Sequence, residues 1–458
     1  MPKPLQMLVV ENFGTCNLRC TYCFPEHMWQ RQGHHGAMAP ATYRALVERA
    51  FAATSEPSLD IHLAGGEPLL AGRAWLETAF RVGREVAAAH GKRVTFSLQT
   101  NATRLTPDLA RLLVEHGVTV GVSLDGPPEM NEAQRGHTGE TLAGLEVLSA
   151  ALGRRPGIIV TVTRCNARRM PEVIDYLDRL DVRMFRANQM GATASWNEHA
   201  APHAGEWAAA RQDVLREIAA RRGRILEFNL MQTVEKFVGS LLEDASPFHR
   251  GQTCCDARCS AGRQLLYFDQ KGDAYPCPRA NVTAGARIAN HTDPDFDARW
   301  DDAVTELDRV MSVPEPCRAC PAQLVCDYGC HAFNVAQGNF FEVNCDATKT
   351  YFGFFAEHLE DVARVYLYGL WREDLRAANT PAALGDGLDL PPALVRDLAD
   401  RLARRLEERL ARPDLRPERL AERYGWREDL VPQAPLNRPR VSGGVAHTPV
   451  DGHSRRAR

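Results

Sequence analysis

Three cysteines near the N-terminus are close enough in sequence to bind one metal centre together. They are Cys16, Cys20 and Cys23, and they follow a short apolar segment. At this chain's cysteine frequency, 13 in 458 residues, such a spacing arises by chance only about 0.01 times per chain. A structural zinc site takes four protein ligands, whereas three thiolates leave one iron of a four-iron cluster open. The spacing therefore favours an iron–sulfur cluster with an open iron over a zinc site or three core cysteines.

A second set of cysteines lies between residues 254 and 345. Its members are Cys254, Cys255, Cys259, Cys277, Cys317, Cys320, Cys326, Cys330 and Cys345. Clustered thiols usually indicate metal or redox chemistry in a cytosolic chain, because disulfides rarely persist there. Iron–sulfur clusters or two zinc-ribbon sites would both use such a set. Cys165 stands alone after an apolar segment, and we expect it to be a small buried core residue.

The elements that must position these residues alternate between strand and helix patterns over the first 190 residues. Six short, mostly apolar segments are predicted as strands: 5–12, 59–63, 94–99, 118–124, 157–163 and 182–187. Five segments have a helical pattern: 40–53, 75–90, 106–116, 141–152 and 170–180. Such βα units in series predict an α/β fold with a parallel sheet or partial barrel.

Polar residues follow the second, third and fourth predicted strands. The stretches are Gly65-Gly66-Glu67-Pro68, Gln99-Thr100-Asn101 and Ser123-Leu124-Asp125-Gly126. Parallel sheets bind ligands at the carboxyl ends of their strands, which places these stretches at one edge. Glycines let the backbone approach a ligand closely, and a carboxylate suits an ammonium group. Turn formation alone is the alternative explanation for each stretch.

The stretch CNLRCTYCF has the aromatic residue Tyr22 before its last cysteine, and it resembles the cluster motif of radical S-adenosylmethionine (SAM) enzymes. The resemblance implies that Cys16, Cys20 and Cys23 hold a [4Fe–4S] cluster whose open iron binds the amino and carboxylate groups of SAM. Electron transfer into the sulfonium then gives a 5′-deoxyadenosyl radical. The protein supplies orientation and a dry cavity for this chemistry.

The same resemblance assigns cofactor-binding roles to Tyr22 and to residues at the strand ends. The stretch that resembles the family's GGEP motif, which holds the methionine amino group, is Gly65, Gly66, Glu67 and Pro68. The residues that resemble ribose and carboxylate contacts are Gln99, Asn101, Ser123 and Asp125. Arg135 resembles the arginine that pairs with the methionine carboxylate. Turn caps and a solvated surface arginine remain the alternatives.

The late cysteines follow the pattern C-x(9–15)-G-x4-C, gap, C-x2-C-x5-C-x3-C, gap, C, and so resemble a SPASM domain. The resemblance implies two auxiliary [4Fe–4S] clusters. The ligands of the distal cluster would be Cys317, Cys320, Cys326 and Cys345, and those of the nearer cluster would be Cys259, Cys277 and Cys330. Cys255 or its neighbour Cys254 would supply the eighth thiolate, or one iron of the nearer cluster stays open.

The resemblance covers about residues 5–350, and together with the sequence patterns beyond it we expect five parts of the chain. They are a partial (β/α)6 barrel over 1–200, a helical bridge over 201–250, a loop-rich SPASM domain over 251–350, a helical extension over 351–431 and a disordered tail over 432–458. Helical patterns predict the bridge and the extension, and a Pro-, Gly- and Arg-rich composition predicts the tail.

Charge and hydropathy exclude several classes of protein. The formal net charge is -3, which argues against nucleic-acid binding. No run of 18 or more apolar residues occurs, so we expect no membrane span. The N-terminus lacks the layout of a cleaved secretion signal, and we therefore expect a cytoplasmic protein.

Three functions fit the resemblance. We favour a maturase that cross-links, epimerises or oxidises a peptide or protein side chain, or adds a thioether, in ribosomal peptide natural-product biosynthesis. The main alternative is a dehydrogenase or epimerase of a small natural-product intermediate. An anaerobic sulfatase-maturing enzyme is disfavoured, because Pro278 follows Cys277 where that subgroup has an aspartate base. The sequence assigns no catalytic acid or base.

The resemblance also implies partners. We expect a substrate peptide and a reductant such as flavodoxin or ferredoxin. Because the first cluster motif begins at residue 16, we expect any leader peptide to be bound by the barrel, the C-terminal extension or a separate leader-binding protein.

Overall fold

The computed structural model describes residues 3–23, 36–191, 198–242, 259–282, 285–310, 317, 320–326, 342–377 and 387–412. The candidate ligands Cys254, Cys255 and Cys330 lie outside these ranges, as does the expected tail over 432–458.

A nine-stranded sheet forms the centre of the described fold. Its strands are β1 (Met7–Phe13), β2 (Ser58–Gly65), β3 (Arg93–Thr100), β4 (Thr119–Ser123), β5 (Gly157–Val162), β6 (Met184–Gln189), β7 (Leu226–Glu227), β8 (Leu265–Phe268) and β9 (Ala274–Tyr275). Strands β1 to β7 are parallel and lie side by side in chain order. Strand β8 is also parallel and pairs with the edge of β1 that faces away from β2. Only β9 is antiparallel. The α/β fold with a large parallel sheet confirms the sequence prediction.

Twelve helices lie in the described part of the chain. They are α1 (Pro40–Ala53), α2 (Arg73–Ala89), α3 (Pro107–Glu115), α4 (Pro128–Arg135), α5 (Thr138–Leu152), α6 (Met170–Arg179), α7 (Ala204–Ala220), α8 (Phe228–Leu242), α9 (Phe296–Val310), α10 (Glu342–Glu357), α11 (Leu359–Ala377) and α12 (Pro392–Leu410). All five helices predicted for the first 190 residues are present.

Side chains of successive strand residues point alternately to two faces of the sheet, and these faces differ in their surroundings. In β2, Leu59, Ile61 and Leu63 are fully buried and belong to the core that the helices share. The residues between them point to the opposite face, because successive side chains of a strand alternate. We call this opposite face the inner face. Near β1 it carries a separate small apolar group of Val9, Leu265, Tyr267 and Tyr275.

The structure differs from the sequence prediction in several elements. Within the expected bridge over 201–250, the described residues 201–242 contain two helices, because Gly223 breaks the helical pattern at φ +71°, and the two residues of β7 then join the sheet. Strands β8 and β9 extend the barrel sheet from within the segment expected to be a loop-rich domain. That segment also contains the 15-residue helix α9.

The C-terminal helices pack onto the helices that follow the barrel. Both α10 and α11 contact α7, and α12 lies against α11 and α8. Phe355 of α10 meets Phe237 of α8 edge to face, with ring centroids 5.3 Å apart. The helical extension therefore shares one hydrophobic core with the barrel. No helix in the part of the chain that the structure describes is long and apolar enough to cross a membrane.

Candidate active site

The loop that carries the first cysteines is bonded directly to the exit of β2. The amide of Gly66 donates to the carbonyl oxygen of Phe13 at 3.0 Å, and the amide of Glu67 donates to that of Thr15 at 3.0 Å. Gly65 makes this close approach possible with φ +121°, a conformation that L side chains rarely adopt. The glycine pair therefore aligns the cysteine loop with the carboxyl edge of the sheet.

The three cysteines of this loop are partly exposed, and none forms a disulfide. The Cys16 sulfur accepts hydrogen bonds from the Leu18 amide at 3.3 Å and from Asn101 Nδ2 at 3.6 Å. Burial raises the pKa of the Cys16 thiol to about 11. A bound cation would reverse that preference, because metal ligation favours the thiolate.

Glu67 is fully buried and accepts three hydrogen bonds from the protein. Its carboxylate receives the Thr100 hydroxyl at 2.7 Å, the Asn101 amide at 2.8 Å and the Leu69 amide at 3.1 Å. Burial raises the pKa of Glu67, and these three hydrogen bonds oppose the rise. Two of these hydrogen bonds, from Thr100 and Asn101, join the ends of β2 and β3, and the third, from Leu69, lies within the turn that follows β2.

Tyr22, Asp125 and Arg135 form a buried trio above the sheet. The Tyr22 hydroxyl donates to Asp125 Oδ2 at 2.6 Å and accepts from Arg135. Asp125 lies 3.9 Å from the guanidinium and also accepts from the Thr161 amide at 2.8 Å. Burial raises the pKa of Asp125, and Arg135 counters it. Arg135 Nε is buried without a partner among the described residues, so one donor remains for a ligand.

The remaining predicted cofactor residues lie at the same edge. Gln99 Nε2 donates to Ser123 Oγ at 2.9 Å, which links β3 to β4. Asn101 Nδ2 also donates to Asn17 Oδ1 at 3.1 Å, and Asn17 lies in the cysteine loop. The structure therefore brings the strand-end residues together with the cysteine loop. Their assignment to parts of SAM remains a prediction.

The late cysteines occupy two regions of the described structure. Burial raises the pKa of Cys317 to about 11, with smaller contributions from the nearby Cys326 and Cys345 thiols. Cys277 packs instead against the apolar group of the inner face, and its sulfur accepts from the Ala280 amide at 3.3 Å. Cys259 and Cys320 are partly exposed, and no disulfide joins any of these described cysteines.

Within the described ranges, no three Cys, His, Asp or Glu side chains converge closely enough to hold a single metal ion. A four-iron cube spreads its ligands further apart than a single ion does, so loops of partly exposed thiols suit it better. The unpartnered Arg135 Nε and the three thiols of the first loop fit a cluster with an anionic ligand beside it. The chemistry of the donor set therefore fits the predicted groups.

Two features of this region were not predicted from sequence. Cys165 is exposed and not buried as predicted, because β5 already ends at Val162. The buried position after this strand is occupied by Asn166, whose Oδ1 accepts a hydrogen bond from the Thr163 amide at 2.8 Å. On the inner face, the buried Glu11 accepts a hydrogen bond from Tyr267. The sequence feature that could have pointed to Glu11 is the presence of an acidic residue within an otherwise apolar strand.

The family model of the Radical SAM superfamily matches residues 12–177, which include the cysteine loop and the strand-end residues just described. This segment is a radical SAM domain, and relatives of the chain are of the SPASM type. Membership implies a [4Fe–4S] cluster and SAM as cofactors.

Relatives extend the similarity beyond the barrel. A serine-type anaerobic sulfatase-maturating enzyme of Klebsiella aerogenes is 27% identical over 354 residues, covering 74% of this chain and 82% of that protein. Mycofactocin maturase MftC of Mycobacterium ulcerans is 29% identical over 317 residues, covering 67% of this chain and 76% of that protein.

Among solved structures, native anSMEcpe with bound AdoMet and Cp18Cys peptide superposes with a TM-score of 0.61. The two chains are 21% identical, and the superposition covers 82% of this chain and 99% of the other. At this identity the likeness shows a shared fold.

Proposed function

We propose that this chain is a maturase that modifies a side chain of a peptide or protein. The observation that carries the proposal is the length of the match to the sulfatase-maturating relative. It spans 354 residues, whereas the radical SAM domain spans residues 12–177, so the similarity includes much of the cysteine-rich segment. The match covers 74% of this chain and 82% of the relative, so it extends well beyond a cofactor-binding core.

The substrate site that we propose is the inner face. This face lies below the carboxyl edge of the sheet, where Arg135 and Tyr22 of the cysteine loop meet, and it carries both apolar and polar side chains. The solved neighbour anSMEcpe carries a bound peptide together with AdoMet. By analogy, the substrate proposed here is a peptide that extends onto the inner face.

The proposed holoenzyme contains three [4Fe–4S] clusters, one that binds SAM and two auxiliary ones. When bound, SAM and the first cluster supply a 5′-deoxyadenosyl radical. Tyr22, Asp125 and Arg135 position the cofactor's polar groups, and Glu67 holds the ends of β2 and β3 in place. A flavodoxin or ferredoxin in the cytoplasm provides the electron, and a separate protein or the C-terminal extension binds any leader.

The test is co-expression with short candidate peptides encoded beside this gene, followed by mass spectrometry of the peptides. We expect a mass change in one peptide with the parent enzyme. No change should occur when Cys16, Cys20 and Cys23 are all replaced by Ala. An enzyme that cleaves SAM and modifies a small metabolite, but leaves every peptide unchanged, contradicts the proposal.

A further inference from the structure

A chain of three polar side chains crosses from β2 to β3 on the inner face. The Ser97 hydroxyl lies 2.5 Å from Asp60 Oδ2 and 2.9 Å from His62 Nδ1. Asp60 Oδ1 also accepts from the Thr95 hydroxyl at 2.8 Å. The strand register places His62 beside Val9 of β1 and Ser97 of β3, so its ring points to the same side as the small apolar group of Val9.

The direction of these hydrogen bonds determines the tautomer of His62. Ser97 has one hydroxyl hydrogen, and a carboxylate such as Asp60 can only accept, so that hydrogen goes to Asp60. Ser97 then accepts from His62, and Nδ1 must carry the hydrogen. In the neutral ring, Nε2 therefore carries a lone pair. No residue of the described ranges bonds to this nitrogen.

The surroundings keep the ring neutral near pH 7. Burial lowers the pKa of His62, Asp60 opposes this effect, and Arg186 of β6 adds to it. Arg186 itself donates to Asn229 at 3.1 Å, and its guanidinium lies over the Phe228 ring. On β1 the facing residue is the apolar Val9, and Glu11 is the next ionisable group toward the carboxyl edge.

His62 lies close to the region where the cofactor chemistry must occur. It precedes Gly65 by three residues, which is about 10 Å along a strand. Parallel sheets bind ligands at the carboxyl edge, and His62 is only partly buried, so the proposal requires a peptide to extend along the inner face from that edge to this ring. Pro278, which follows Cys277, has no ionisable group and cannot accept a proton from the substrate.

We propose that His62 Nε2 accepts a proton from the substrate in the reaction of this enzyme, and this proposal rests on the proposed function. The proton comes from an O–H, S–H or N–H group next to the reacting carbon. That bond breaks, its electron pair stays on the substrate, and an Nε2–H bond forms on the imidazole. The step moves no electron onto the protein. Asp60, acting through Ser97, stabilises the resulting imidazolium.

The first test measures the tautomer and the pKa of the His62 ring and does not require the enzyme to turn over. Nitrogen NMR of histidine-labelled full-length enzyme is recorded for the parent, and His62→Gln assigns the signal. We expect the Nδ1–H tautomer and a titration below the usual value of about 6.5. Ser97→Ala should shift the population toward Nε2–H. An Nε2–H tautomer in the parent, or titration above about 6.5, overturns the proposal.

The second test separates proton transfer from cofactor cleavage. His62→Asn keeps a donor for Ser97, and His62→Gln places an amide near Nε2, but neither side chain accepts a proton at neutral pH. Both variants should retain iron and SAM cleavage yet lose peptide product about 100-fold or more. His90→Gln, at the exposed end of α2, is the matched control and should behave as the parent.

The third test is the dependence of peptide product formation on pH. Product formation should fall as pH decreases through the pKa of His62. Asp60→Asn should move this acid limb to lower pH, and Arg186→Gln should move it to higher pH. Near-parental product from His62→Gln, or an acid limb that neither variant moves, overturns the proposal. If the parent modifies no peptide, the proposed function fails, whereas the NMR result still decides the state of His62.

Discussion

A methyl group added at Gly66 would lie 1.9 Å from the carbonyl oxygen of Thr15. Real side chains do not approach a backbone oxygen so closely, and the contact is with backbone that cannot rotate away. Because Thr15 directly precedes Cys16, the absence of a side chain at Gly66 sets the position of Cys16, the first of the proposed cluster ligands.

We therefore predict that Gly66→Ala displaces the cysteine loop. The reconstituted parent should hold about twelve irons, four per cluster, and the variant should lose about four of them together with SAM cleavage. Iron analysis and a 5′-deoxyadenosine assay measure both effects. Gly139→Ala is the control, because a methyl group there meets nothing within 4 Å. Full iron content and SAM cleavage in Gly66→Ala would show that the loop tolerates the shift.

Asp125→Asn should destabilise the protein by about 3 kcal/mol, because the buried Arg135 would lose its carboxylate partner. Denaturant unfolding under anaerobic conditions measures the loss. The double variant Asp125→Asn with Arg135→Met removes both charges and should regain part of the stability, although SAM binding stays weak in both. A double variant less stable than Asp125→Asn alone would falsify this account of the trio.

Cys317→Ala should remove an auxiliary cluster while leaving the first cluster in place. We expect a loss of about four irons and of peptide product, with SAM cleavage retained. Cys165→Ala is the matched control, because Cys165 is exposed and lies outside both cysteine sets. Unchanged iron content in Cys317→Ala, or full product turnover, would remove Cys317 from the cluster ligands.

A sulfatase-type peptide with a Cys or Ser target should not be converted to formylglycine. Pro278 has no ionisable group, and the nearby Asp273 is engaged by Arg287 at 2.7 Å and Asn290 at 2.8 Å. Mass spectrometry after incubation with SAM and reductant gives the answer. A serine peptide lighter by two hydrogens, or an aldehyde from the cysteine peptide, would reverse this prediction.

The sequence predicts those parts of the fold and site that depend on neighbouring residues. Short apolar runs predict strands β1 to β6, and the polar stretches that follow these runs predict a site at the carboxyl edge. The pairing of β8 with β1 joins residues more than 250 positions apart, and no local pattern encodes it. Cys165 was predicted wrongly for a related reason, since its exposure depends on where β5 ends.

The site shows the same division between local and distant information. Each of Tyr22, Asp125 and Arg135 was predicted singly as a cofactor residue, but their bonds to one another required the folded chain. The sequence does not predict a role for His62, because the hydroxyl group that bonds its ring belongs to a distant part of the chain. Asp60 lies two residues before His62 on the same strand, but only the register of β2 against β3 places Ser97 between the two side chains.

The packing of β8 onto β1 and of α10 onto α7 has a consequence for cluster assembly. These contacts are made by protein groups alone, and they hold β8 against β1 and the Cys345-bearing helix α10 against α7. Fewer residues then have to be ordered for the late thiols to meet, which lowers the loop-closure entropy of cluster assembly. The thiols are thus presented at a higher effective concentration, as in a tethered multivalent ligand. Loosening either anchor should thus weaken iron uptake even when every cysteine is intact.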